Sequence, residues 1–420
     1  MREHQFRQLS LLFQHFWKSV PWCRERLKKA GYKPGTGVTH ELMNRIPLMT
    51  RDDIQNTGNA LFSPSIPKEH GNTEFIQTSG STGKPVRIKR SNITEFFLQS
   101  LMLRDHYWHE RNLGGKLAVI RFVEDQNKAR APNGMHAKGW SPATDTIYRT
   151  GKSSLLNIHT PVREQAEWLL REDPDYLLTY PSNLQALAQH IRNSGIHCPK
   201  LVELRTIGET LDDETREICR EVFNLPVVDI YSASEVGNIA LQCPEHTHYH
   251  IQSESVYVEI LNDDDQPCAP GEVGRVVVTA LHNLAMPVIR YVQEDYAEVG
   301  EPCPCGRGLP VLRRIKGRAR NMLTLPSGDQ VWPRLRIQKF ASTANAPIVQ
   351  VQFVQHTLED IEVRIVTRES LDHQQEQALT ELLHQALEYP FNLTFRYHDE
   401  IQRSKNGKYE EFISKLDQPV

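Results

Sequence analysis

The sequence lacks the features of a membrane, nucleic-acid or disulfide-built protein. Among its 420 residues no apolar run approaches the roughly 20 positions needed to cross a bilayer. Lys and Arg number 49 against 52 Asp and Glu, and a net charge of -3 offers nothing to a nucleic acid or an acidic lipid surface. The N-terminus, Met1-Arg-Glu-His-Gln5, has no secretory h-region. Cysteines are few, seven in all, odd in number and uneven in spacing. That argues against a disulfide framework and leads us to expect a reducing, cytoplasmic setting, where thiols serve metals or the core. No internal repeat or low-complexity tract interrupts the chain. Its length predicts two or three domains rather than one compact unit.

What is present reads as α/β. Phe6, Leu9, Leu12, Phe13, Phe16 and Trp17 recur at helical spacing, so the chain opens on an amphipathic helix. Residues 34–75 are studded with Pro and Gly and read as loop-rich. A helix is expected from Thr94 to Arg111, then a strand over Leu117–Val123. Strands at Tyr176–Tyr180, Val202–Ile207 and Val227–Tyr231 alternate with helices near Asn183–Asn193 and Asp212–Phe223. Such alternation predicts a layered domain with a largely parallel sheet, whose ligand sites lie at the carboxyl ends of strands. Alternating β segments follow, Val256–Ile260 and Gly274–Thr279. After Lys316-Gly-Arg318 comes a small α+β unit with strand-like 361–366 and 391–397 around a helix near Asp372–Glu388.

Five motifs carry chemistry. Thr78-Ser-Gly-Ser-Thr-Gly-Lys-Pro85 combines glycines that bring backbone N–H groups close to a ligand with hydroxyls and one ammonium, a cradle for a polyphosphate. It is not the common P-loop, because Lys84 is followed by Pro85. Tyr231-Ser-Ala-Ser-Glu235 offers a ring to stack on a purine and a carboxylate that, beside phosphates, suits Mg²⁺. Asp295 ends a strand-like run and can accept from ribose hydroxyls. Lys316-Gly-Arg318 is a basic turn, and Arg403-Ser-Lys-Asn-Gly-Lys408 a basic loop near the C-terminus.

In this order the motifs resemble the adenylate-forming superfamily of acyl-CoA synthetases and adenylation domains, nearest the phenylacetate–CoA ligase branch, from about residue 5 to 415. The resemblance implies a large N-terminal AMP-binding domain with mixed sheets and flanking helices over 1–317, and a small mobile C-terminal α+β lid domain over 318–420. It implies that Thr78, Ser79, Gly80, Ser81, Thr82, Gly83 and Lys84 form the phosphate loop. Gly208 and Glu209 would line the adenine pocket, with Tyr231 stacking and Ser232 beside it. Glu235 would hold Mg²⁺, Asp295 and Arg318 the ribose, and Lys408 would bridge the acyl carboxylate and the α-phosphate. The activity implied is ATP-dependent conversion of a small aryl or arylacetic acid to acyl-AMP, then transfer to CoA or a carrier-protein phosphopantetheine. A homodimer is implied as well. Ser232 stands where the family has Gly, Arg320 and Asn321 replace the usual hinge residues, and Val292-Gln-Glu294 precedes the ribose acid. These departures leave adenylation as the expectation and bear on the acceptor. An adenylate-forming amide ligase and a non-catalytic nucleotide- or zinc-binding homologue stand as alternatives.

Cys243-Pro-Glu-His-Thr-His-Tyr-His250, followed by Cys303-Pro-Cys305, predicts a structural zinc knuckle. The branch resembles this, and its register implies Cys243, His250, Cys303 and Cys305 as ligands, with His246 and His248 as competitors by spacing. The remaining cysteines read as core or surface thiols. His106, Tyr107, Trp108 and His109 read as packing, and His136 and Trp140 as candidates for the acyl pocket. Asp263-Asp-Asp265 reads as a hairpin turn.

Overall fold

The computed structural model describes residues 1–77, 85–125, 128–145, 147–333, 335–404 and 406–416. A 12-stranded sheet dominates the chain from Leu117 to Arg318. Its parallel block runs Ser153–Asn157, Leu117–Arg121, Tyr176–Thr179, Glu203–Ile207 and Val227–Ala233 in spatial order. The strand Gly237–Gln242 turns back antiparallel on Val227–Ala233, and the sheet continues antiparallel through Tyr249–Ile251, Val311–Arg318, Tyr291–Val299, Val273–Ala280 and Val256–Leu261. The parallel half reads as unbroken apolar runs because helices cover it, and it encloses Leu156, Leu177, Leu204 and Trp168.

Local chemistry explains the helices between these strands. Pro181 opens the helix Pro181–Ser194, where its missing N–H costs nothing, and Gly195 closes it at a φ of 67°. Asp212 caps the helix Asp213–Phe223 by accepting from the Thr215 N–H at 2.7 Å. The opening helix Arg2–Ser19 buries Leu9, Leu12, Phe13 and Phe16, as its spacing predicts. Asp263-Asp-Asp265 lies in the turn between Val256–Leu261 and Val273–Ala280.

Residues 34–75 are loop-rich, as expected, with short elements among the loops. They hold short helices, His40–Arg45 and Arg51–Thr57, each started by a capping threonine. Thr50 and Asp53 form a reciprocal capping box that outweighs the local Pro and Gly content.

The C-terminal part is a second, smaller α+β unit. Its four-stranded sheet orders Asn392–Tyr397, Asp360–Thr367, Ile348–Gln355 and Phe412–Ser414. Phe353, Val363, Ile365, Leu379 and Leu383 pack its core against the helix His373–Leu387. The α/β expectation, with a small α+β unit at the end, therefore holds. No helix among the described residues is long and apolar enough to cross a membrane.

Candidate active site and metal cluster

A cavity of about 1520 Å³ opens where the parallel block gives way to antiparallel strands and where the C-terminal unit docks. Gly208 and Glu209 follow the strand Glu203–Ile207, while Tyr231, Ser232 and Glu235 lie at the end of Val227–Ala233. Asp295 and Arg318 pair across neighbouring strands, and Lys408 arrives from the C-terminal unit. Thus the cavity lining collects all of the expected nucleotide-site residues outside the Thr78–Lys84 loop, which lies outside the described residues.

The geometry links them. The Tyr231 hydroxyl donates to Oδ2 of Asp295 at 2.9 Å, and Nε of Arg318 lies 3.5 Å from the other carboxylate oxygen. Both groups are held by strand register rather than by flexible loops. Glu235 is 8% exposed, and its Oε1 accepts from the Tyr291 hydroxyl at 3.4 Å. Burial pushes its carboxyl up, while Arg51 and Arg318 pull it down. Gly208 has a φ of 84°, in the region that favours glycine, and brings the backbone beneath the Lys408 side chain. A Cβ at Gly208 would stand 3.6 Å from Cε of Lys408. Burial and then Arg318 push the Lys408 ammonium down, against Glu209 and Asp295.

Sequence reasoning missed Arg51 and Arg90. Arg51 lines the same cavity from the start of a short helix. The preceding Met49 is stitched to Arg290 and Val292 by backbone hydrogen bonds. Arg90 donates to the carbonyl of Ser234, beside Glu235. No motif marks either, because each reaches the site from a distant part of the chain. Conversely, His106 and Trp140 pack edge to face, centroids 5.2 Å apart, away from the cavity. Burial, with Arg205 and Arg111 nearby, pushes His106 down to about 3, so it stays neutral in the core. His136 pairs with Glu172 at 3.1 Å and also stays outside the cavity.

The Cys/His segments converge at the end of the strands Gly237–Gln242 and Tyr249–Ile251. Ligand atoms of Cys243, His248, His250 and Cys303 all lie within 4.8 Å of one another. Sγ of Cys305 is 3.3 Å from Nε2 of His250, which sets a fifth donor beside this group. Nε2 of His248 is buried with no hydrogen-bond partner among the described residues, an arrangement that suits a metal ligand. Trp108 packs edge-on to His250 at 5.7 Å, which gives the aromatic end of its helix a structural task. Cys23 and Cys219 are buried, and Cys198 and Cys268 partly so.

Comparison with known proteins agrees with this picture. Residues 329–415 match the family model described as the CapK C-terminal domain. Phenylacetate-coenzyme A ligase of Pseudomonas putida is 24% identical over 385 residues, 89% of this chain and 83% of that protein. The Thermus thermophilus protein of the same name is 26% identical over 352 residues, 79% of this chain and 73% of that one. In fold, 2-hydroxyisobutyryl-CoA ligase in the postadenylation state with R3-HIB-AMP matches with a TM-score of 0.76 at 17% identity, over 98% of this chain and 89% of that chain. The same enzyme with 2-HIB-AMP and CoA in the thioesterification state matches with a TM-score of 0.63, at the same identity and coverage. The resemblance to the phenylacetate–CoA ligases therefore holds in sequence, and the fold is that of adenylate-forming CoA ligases.

Proposed function

We propose that this protein is an ATP-dependent, AMP-forming acid–thiol ligase. The observation that carries the reading is the convergence of Glu235, the Tyr231–Asp295–Arg318 chain and Lys408 on one cavity between two units of the fold. An oxygen of the substrate carboxylate attacks the α-phosphorus of ATP, and pyrophosphate leaves. A thiol then attacks the acyl carbonyl, and AMP leaves. Tyr231 and Gly208 flank the base, Asp295 and Arg318 hold the ribose, and Lys408 offsets charge on the carboxylate and α-phosphate as the bond forms. Thr78–Lys84 is assigned to the pyrophosphate oxygens on sequence alone. Glu235 is an oxygen ligand suited to Mg²⁺, which would neutralise phosphate charge.

The boundary between the units is placed at Arg318, giving 1–317 and a mobile 318–420. Mobility of the second unit lets Lys408 serve the first half-reaction and withdraw for the second. Cys243, His250 and Cys303, with Cys305 or His248 as the fourth ligand, are assigned to a structural zinc. CoA is the favoured acceptor, on the strength of the relatives' names, and an aryl or arylacetic acid the favoured substrate. A phosphopantetheine carrier and a homodimer are further parts of the same reading.

Acid-dependent ATP–pyrophosphate exchange over aryl, arylacetic, fatty and amino acids tests it. Exchange is expected with one acid class, and CoA should then yield the thioester. Lys408→Ala should lower exchange roughly 100- to 1000-fold while ATP still binds. Unchanged exchange in that variant would remove Lys408 from the chemistry, and silence of the zinc-loaded protein toward every acid would favour the non-catalytic alternative.

A further inference from the structure

Glu209, expected in the adenine pocket, lines the cavity, and its carboxylate is bonded to groups of the protein. It is 7% exposed and faces the protein on both oxygens. Oε2 accepts the N–H of Ser182, at the start of the helix Pro181–Ser194, at 3.0 Å. Oε1 accepts the N–H of Tyr409 at 2.7 Å and stands 3.8 Å from the Arg403 guanidinium. Arg403 in turn donates to Oγ of Ser182 at 2.8 Å. One buried carboxylate therefore joins the large sheet to both flanks of the turn that carries Lys408.

The turn is rigid enough to transmit this hold. The Ser404 N–H donates to the Lys408 carbonyl at 2.8 Å, and the Gly407 N–H to the Ser404 carbonyl at 2.8 Å. The Lys408 N–H is bonded to Oγ of Ser404 at 3.1 Å. At the tip, Gly407 lies so close to the buried Ile158 that a Cβ would come within 2.4 Å of its methyl. Gripping Arg403 and Tyr409 thus holds Lys408, which lies between them. A charge-assisted acceptor on a backbone N–H is the stronger kind of hydrogen bond, and its loss leaves a buried donor unmet.

We propose that Glu209 is a positioning residue: its carboxylate latches the Arg403–Tyr409 turn to Ser182 and so sets Lys408 over the site for the adenylation step. The inference rests on the ligase reading for its catalytic consequence, but the latch itself does not. Glu209→Gln keeps the shape of the side chain and turns an amide N–H₂ toward one of the two N–H donors it must accept.

Hydrogen–deuterium exchange of the peptide 406–412 tests the latch without any substrate. Glu209→Gln should speed exchange there roughly tenfold or more, and leave the strand Leu117–Arg121 unchanged. Arg403→Gln, which alters the other partner, should act in the same direction. Pyrophosphate exchange with the best acid should fall roughly 10- to 100-fold in Glu209→Gln, with the ATP Kd held within about twofold. Added to Lys408→Ala, Glu209→Gln should cost nothing more, since it works through that lysine. Unchanged protection of 406–412 in both variants would overturn the latch. A raised ATP Kd with fully additive losses would return Glu209 to the nucleotide. A wild-type protein inert toward every acid would sink the ligase reading, while the deuterium result still decides the latch.

Discussion

Asp105 shows how much a single buried charge organises. It is fully buried, and its carboxylate accepts from Arg111 at 2.6 Å and from Arg205 at 2.7 Å. Burial raises its carboxyl, but Arg205 and Arg111 outweigh burial and hold it below the usual range. Arg111 reaches on to Glu203 at 2.6 Å, so the network ties the helix Asn92–Trp108 to the strand that ends beside Gly208. Removing Asp105 leaves two buried guanidinium groups with Glu203 alone to offset them. Asp105→Ala should therefore lose about 3–5 kcal/mol in denaturant unfolding. A loss below about 1 kcal/mol would mean that solvent reaches the arginines. At the cavity the same logic is milder, because Tyr231, Asp295 and Arg318 remain open to a ligand.

Among the elements, the antiparallel half of the sheet does the most positional work. Strand Val311–Arg318 lies between Tyr291–Val299 and Tyr249–Ile251. One end of that pairing sets Arg318 opposite Asp295, and the other sets Val311 opposite His250. The nucleotide wall and the Cys/His cluster are thus two ends of one strand. A metal holding Cys303 to Cys243 would brace that end. Purified protein is expected to carry one zinc per chain by elemental analysis. Chelation or Cys303→Ser should lower the thermal midpoint and expose the thiols to a disulfide reagent. Metal-free protein with an unshifted midpoint would assign the cluster to ordinary packing.

For the whole molecule the decisive feature is the contact between the two units. Besides Glu209, the Glu214 carboxylate accepts the Gln338 and Lys339 N–H groups of the C-terminal unit at 3.1 and 3.3 Å. Burial pushes Glu214 up to about 7, with Asp212 adding to the rise and Arg336 and the two N–H groups opposing it. Glu411, beside Asp212 and Glu214, is pushed up as well, chiefly by desolvation. A carboxyl near 4.5 when undocked and near 7 when docked takes up a proton on docking. Its favourable contribution is complete below about pH 4.5 and is lost as the pH rises through 7. The segment 337–343 should exchange deuterium faster at pH 8 than at pH 6 after correction for the intrinsic rate, and Glu214→Gln should flatten that difference. Equal protection at both pH values would show that Glu214 titrates normally.

Much of this was written locally. The apolar runs of the parallel strands, Pro181, Asp212 and Gly195 specify their elements through propensity and capping, which act over a few residues. The motifs at Tyr231, Asp295, Arg318 and Lys408 were legible because each is short, although Asp295 lies mid-strand in Tyr291–Val299 rather than after a strand as expected. Within the loop-rich residues 34–75 the local sequence left the short helices unforeseen, one of them started by a capping box. It was silent on Arg51 and Arg90 beside Glu235 and on the hydrogen bond from Tyr409 to Glu209, and it named His248 only as a competitor by spacing. Those are contacts between positions up to 200 residues apart. Only strand order and the docking of the second unit bring such groups together, and no spacing along the chain encodes either one.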